Sequence, residues 1–306
     1  MKKILLATSA VALFAGAAAA EVTTTGTARM GIVYADDGTT SSTQFSSRVR
    51  IIFTASGETD SGLSFGASVR NDQSGVGGTA NGDSTVFISG AFGKLTMGDV
   101  SGAADSLVGQ TSGVGYGPND GLQEINFIGA GKTAIYYEYS TGAFTLGVGS
   151  GQLDTAVDTA SIGAKYSTDA YSVALAYEQS NSAAPAFDFS MISASASAKF
   201  GAATLKARVS DKDVAGQDVS WSVSADYTMG ATTLTAFYTD FGNNTGSGVA
   251  GGNDATPAGS TDTTHIGIGA SYDLGGGATV AGGIIRQNNT GVADATIADV
   301  GLKFSF

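Results

Sequence analysis

The chain has 306 residues, with 27 acidic side chains against 15 basic ones, a formal net charge of −12, 45 glycines, 3 prolines and no cysteine. So acidic a chain is excluded as a nucleic-acid binder, which needs clustered Lys and Arg over a broad face. Disulfides are ruled out, and the glycine-to-proline balance excludes both collagen and a proline-rich linker.

In chain order, the stretch "MKKILLATSAVALFAGAAAA" comes first. Lys2 and Lys3 precede an apolar run from Ile4 to about Gly16, and small residues follow to Ala20. This layout predicts a secretory signal peptide over 1–20, cut before Glu21. The alternative is a spanning helix, which the short run and A-x-A end disfavour. After position 20 no apolar run reaches the roughly 18 residues that a spanning helix needs.

From Glu21 onward apolar and polar residues alternate almost throughout. Ala28, Met30, Ile32 and Tyr34 alternate with Thr27, Arg29, Gly31 and Val33. Such runs fall at about 22–35, 44–56, 62–72, 83–91, 94–100, 132–140, 143–150, 157–167, 170–179, 187–200, 203–212, 218–229, 231–240, 262–273, 278–287 and 294–306. Period two over many short runs, broken by Gly, Asn, Asp and Ser, predicts an all-β chain. Short connections such as "FG", "TG" and "LGGG" alternate with long ones such as "QSGVGGTANG" and "FGNNTGSGVAGGNDATPAGS". No second-domain boundary interrupts the rhythm, so 21–306 reads as one unit.

The stretch "FSSRVRIIFTAS" at 45–56 poses the choice between two β architectures. Val49, Ile51 and Phe53 share one face of a strand, and Arg48 and Arg50 share the other. A soluble sandwich would bury the apolar row. A transmembrane barrel would turn that row to lipid and the arginines to an enclosed aqueous interior. The signal peptide, the many similar rows and the Tyr and Phe near row ends favour the barrel. Hydrocarbon offers no hydrogen-bond partners, so the sheet must close. The last run, "ADVGLKFSF", then lies beside the first.

The segments "ARMGIVY", "FSSRVRIIFTASGETDSGLSFGASVR", "GDSTVFISGAFGKLTMGDVSGAADSLVG", "GIGASYDLGGGATVAGGI" and "ADVGLKFSF" resemble the general porins of Rhodobacter-type alphaproteobacteria. The resemblance is strongest over 21–116 and 265–306. It implies an all-β, 16-stranded antiparallel transmembrane β-barrel of the outer membrane, with an inward-folded third external loop. It also implies a homotrimer that passes ions and small hydrophilic solutes, contacts outer-membrane lipid and uses no cofactor. The 73–82 loop is the segment such proteins use to latch a neighbouring subunit.

The long connection at 101–131 is then the expected constriction loop. Asp99 stands at its root, and Asp105, Asp120 and Glu124 lie within it. By composition alone these carboxylates only solvate a surface loop; the resemblance turns them toward the pore. Arg29, Arg48, Arg50 and Arg70 fall on the polar face of the first three strands and form the expected opposing wall. The pattern predicts a field across the channel, because charged rims set ion preference. Lys165, Lys206, Arg208 and His265 are further candidates for lining the lumen.

In "GYGPNDGL" turn chemistry accounts for Pro118, Asn119 and Asp120 without an ion. The few acidic residues of the loop are a poor calcium cage, so no bound metal is expected. With no cysteine and His265 as the only histidine, no local motif sets a base against a nucleophile, and an enzyme is not expected. The competing function is a non-conducting structural or adhesive barrel.

Overall fold

The computed structural model describes residues 21–74, 78–80, 83–117, 121–129, 134–153, 156–184, 188–243 and 260–306. The expected leader, 1–20, lies outside the described residues. Among the described residues, seventeen strands join one sheet. They are β1 (Glu21–Asp36), β2 (Ser41–Glu58), β3 (Ser64–Ser74), β4 (Gly78–Ala80), β5 (Ser84–Gly90) and β6 (Gly93–Gly98). After the helix α1 (Ala103–Leu107) come β7 (Ala134–Thr141), β8 (Phe144–Ser150), β9 (Val157–Ser167), β10 (Tyr171–Ser182) and β11 (Phe189–Phe200). The rest are β12 (Ala203–Lys212), β13 (Ser220–Met229), β14 (Thr232–Gly242), β15 (Asp262–Gly275), β16 (Ala278–Thr290) and β17 (Ala295–Ser305).

Except for β4 and β5, which do not pair with each other, each strand pairs antiparallel with its sequence neighbours, and β17 pairs with β1 to close the ring. Both β4 and β5 pair with β3, at Asp72–Ser74 and Ser64–Val69 respectively. Together they fill one place in the wall, so the barrel has 16 staves. The closing register sets Thr27 opposite Ser305 and Arg29 opposite Lys303. Past it, Gly26 N donates to Phe306 O at 2.6 Å and Phe306 N donates back to Gly26 O at 3.0 Å.

The alternation places the apolar rows outside. Val49 and Phe53 are 45% and 50% exposed, while Arg48 and Arg50 on the other face are half-buried. Leu146, Ile162, Leu175, Leu205, Ile268, Ile284 and Val300 continue the exposed apolar surface around the wall. In water so large a patch would drive aggregation; against hydrocarbon it is the surface a barrel must present. Beside the short turns the same face carries exposed Phe92, Phe144, Tyr171, Phe200, Tyr227 and Tyr272, an aromatic girdle. Phe144 and Tyr166 meet edge-on, with ring centroids 4.7 Å apart.

At one end the hairpins are tight. Gly142, Gly201 and Gly230 turn the chain with φ of 57°, 61° and 60°, and a side chain added at any of them would meet nothing within 4 Å. Glycine is there for its left-handed backbone rather than for space.

Strand ends differ from the sequence reading by a few residues, and two features differ in kind. A three-residue strand sits within the expected 73–82 loop. A single helical turn, α1, opens the long connection, where the five residues "AADSL" are too few to carry a readable helical period.

Candidate functional site

On the lumen face of β17, β1 and β2 the register builds rows. Lys303 stands opposite Arg29, which stands opposite Arg48. Thr279 of β16 extends this row on the far side of Lys303. The next row toward the short turns sets Ser305, Thr27, Arg50 and Asp72 side by side. Like charges directly opposite destabilise an antiparallel pair, so this wall needs anions to offset it.

Two of the four predicted arginines find them on the wall itself. Arg50 Nε donates to Asp72 Oδ1 and Arg50 Nη2 to Asp72 Oδ2, both at 2.8 Å, a bidentate fork. Arg70 reaches the same carboxylate at 3.3 Å and makes a close ion pair with Asp83. The sequence reading expected carboxylates from the long loop in this role and missed Asp72. Its parity would have found it: in "SVRND", Arg70 and Asp72 share the face opposite Val69.

The long connection follows a path out and back along the lumen face. Ala103 N donates to Ser161 Oγ of β9 at 2.8 Å. Val108 O accepts from Ser195 Oγ of β11 at 2.8 Å. Thr111 and Ser222 of β13 share a hydrogen bond of 2.6 Å, and Ser112 N donates to Ser224 Oγ at 2.9 Å. Val114 packs with Phe237 and Ile285, and Tyr116 N donates to Asp299 Oδ1 of β17 at 3.2 Å. The Tyr116 ring, fully buried, lies on Gly31 and Gly301. A side chain added at Gly31 would come within 2.8 Å of that ring, and one at Gly301 within 2.6 Å. Gly117 lies beside Arg29, with φ of 135°.

The return leg is held as firmly. His265 Nδ1 lies 2.6 Å from Leu122 O, so Nδ1 carries the proton and donates. Thr239 Oγ1 donates to Gln123 O at 3.0 Å. Arg208, 3% exposed, donates to Ile125 O at 2.7 Å and to Gln110 Oε1, with its guanidinium 3.7 Å above the Phe127 ring. Glu178, 1% exposed, accepts from Ile128 N and Gly129 N at 3.2 Å each. Arg208 and His265 were read as lining open lumen. They are instead buried against this segment, as is Glu178, which the sequence reading passed over.

The predicted loop carboxylates do not converge on one point. Asp99 closes the β5–β6 end, its N–H donating to Ser84 O at 2.9 Å. Asp105 rides on α1, which packs against β8, β9 and β10, about half-way round the wall from Arg29. Glu124 sits between residues held by β14 and β12. Asp120 lies outside the described residues.

A closed wall of 16 staves, apolar outside and charged within, with a long connection bound to its lumen face, defines a channel-forming protein of the outer membrane rather than an enzyme. Residues 7–292 match the family described as Gram-negative porin. The porin of Rhodobacter capsulatus is 36% identical over 94% of this chain and 100% of its own length. That of Fuscovulum blasticum is 28% identical over the same shares. A porin structure refined at 1.8 Å resolution matches with a TM-score of 0.74 and 33% identity, covering 94% of this chain and 100% of the other. The chain belongs to the Gram-negative porin family and is an integral β-barrel porin of the outer membrane.

Proposed function

We propose that the channel passes ions and small hydrophilic solutes by passive diffusion through an opening narrowed by the 101–131 segment. Arg29, Arg48, Arg50 and Arg70 form one rim. Asp105 and Glu124 stand on the narrowing segment, and Asp99 at its root. The observation that carries this reading is the chain of hydrogen bonds from Ala103 to Gly129 onto lumen-facing groups of β9 through β17. A segment fastened at so many points narrows the bore, and among the described residues it meets the β1–β2 wall at Tyr116 and Gly117.

The uneven distribution of charge favours a field across the opening rather than along it. Guanidinium groups on β1–β3 attract anions locally, and Asp105 about half the circuit away attracts cations. The chain acts as a homotrimer in this reading, and 1–20 serves as its secretory leader.

Single-channel recording in a planar bilayer tests the narrowing. Tyr116→Ala, which removes the ring seated on Gly31 and Gly301, should raise unit conductance. Unchanged conductance would overturn the assignment of the segment as constriction. Neutralising Arg48 and Arg50 together should move the reversal potential in a salt gradient toward cation preference. Grouped closures in threes would support the trimer.

A further inference from the structure

Below the seat of Tyr116 a cavity of about 290 Å³ opens in the lumen wall. Its lining includes Arg29, Arg48, Lys303, Thr279, Thr27 and Ser305, with Tyr116 and Gly117 forming part of its boundary. Among the described residues no carboxylate lines it. Arg50 also borders it, but its guanidinium is engaged by the Asp72 fork. Asp299, which accepts from Tyr116 N, lies four residues along β17 from Lys303, about 13 Å at strand rise. Arg29 Nε is buried and meets no acceptor in the structure. Cationic charge, hydroxyl donors and a loop-built edge therefore converge on one concave space whose described lining residues supply no counter-charge.

We propose that this cavity is a binding subsite for a doubly charged tetrahedral oxyanion, inorganic phosphate being the simplest. Arg29 offers a planar fork that matches two oxygens of such an anion, and Lys303 on the neighbouring strand offers a point charge to a third. Thr279, Thr27 and Ser305 can donate to the remaining oxygen or to bridging water. A bare chloride would leave most of the space to solvent. A nucleotide would not fit in it. The subsite deepens the channel reading: it rests on these residues facing the lumen, and it makes the arginine wall a resting place for one class of anion rather than a diffuse field.

The test is a phosphate titration of chloride current through single channels at constant ionic strength, under alkaline conditions where phosphate is doubly charged. Saturable reduction of chloride conductance is expected. Arg29→Gln combined with Lys303→Gln should weaken the apparent affinity by about a hundredfold, as loss of charge-assisted hydrogen bonds from both groups implies. Arg286→Gln, on the exposed outer face of β16, should leave it within about twofold. Conductance that does not respond to phosphate, or equal block in the double variant, would overturn the proposal. Heat-modifiable gel migration checks that each variant is a folded barrel. Phosphorus NMR line broadening on the folded protein in micelles reads binding without current, so a barrel that fails to conduct would refute the channel reading and still decide the subsite.

Discussion

The wall of β1–β3 and the wall of β10–β14 are built from the same alternating pattern and end in opposite states. On β1–β3 the lumen face carries long charged side chains, Arg29, Arg48, Arg50, Arg70 and Asp72, all half-buried. On β10–β14 it carries mostly short polar ones, with Glu178 and Arg208 the long exceptions, and Ser193, Ser210, Ser222, Ser224 and Thr239 are each at most 5% exposed. The short hydroxyls bond one another across strands, Ser193 to Ser210 at 2.8 Å and Ser222 to Thr239 at 2.7 Å, and also bond the long connection. Small size lets the connection approach the backbone; hydroxyls satisfy its peptide groups once water is excluded. Short lumen-face side chains thus make room for the segment on this side, and Glu178 and Arg208 anchor it there.

The contrast can be broken most sharply at Arg208. Replacing it with Ala removes the donors to Ile125 O and Gln110, and the partner of the Phe127 ring. Ile125 O and Gln110 Oε1 would keep only the bonds they make with each other's residue. Losing the buried charge-assisted bonds and the ring contact should cost about 3 kcal/mol, read by urea unfolding from lipid vesicles, with noisier open-channel current. Next, Ser222→Leu adds volume where Thr111 approaches to 2.6 Å. It should cost about 2 kcal/mol and raise conductance as the segment is pushed off the wall. On the open wall, Arg50→Gln should cost only about 1 kcal/mol, because the Asp72 pair is partly solvated, with side-chain exposures of 26% and 13%. Its main effect should be on ion preference, as the freed Asp72 carboxylate draws cations.

The smallest effect lies outside the membrane, in the turn after β16. There Asn289 N donates to Asp294 Oδ1 at 2.9 Å, and Arg286 Nη2 donates to Oδ2 at 2.8 Å. The bond from Asn289, with help from Arg286, holds the Asp294 carboxyl below its ordinary value of 3.8. A lowered carboxyl contributes its full stabilisation above that ordinary value and loses it as pH falls through the lower, folded one. The protection factor at Asn289, its exchange corrected for the intrinsic pH dependence, should therefore hold at mildly acidic pH and fall only below about pH 3.8. A protection factor already falling near neutrality would contradict it.

The alternation in "FSSRVRIIFTAS" was enough to read which face Val49 and Arg48 take, because a strand has only two faces. Closure was legible as a necessity of hydrocarbon, and the register Arg29–Arg48 followed once the strands paired. Pairings within the lumen were not. Arg50 and Asp72 are 22 residues apart, and their fork depends on the β2–β3 offset, which strand patterns fix only to within a few residues. Arg208 looked like an ordinary lumen-facing charge and Glu178 drew no reading, since nothing in the strand pattern records what another segment will lay over them. The glycine seat at Gly31 and Gly301 was equally silent, being a property of two strands far apart in the chain that meet only at closure.

That seat has a consequence for assembly. The Gly115–Tyr116 tip touches Asp299 and Gly301 on β17, Gly31 on β1 and Ser46 on β2, so it straddles the seam where the cylinder zips shut. It works as a clasp across that join. A nascent sheet still gaping there has nowhere to fasten the tip, so sealing the barrel and setting its bore become a single cooperative event.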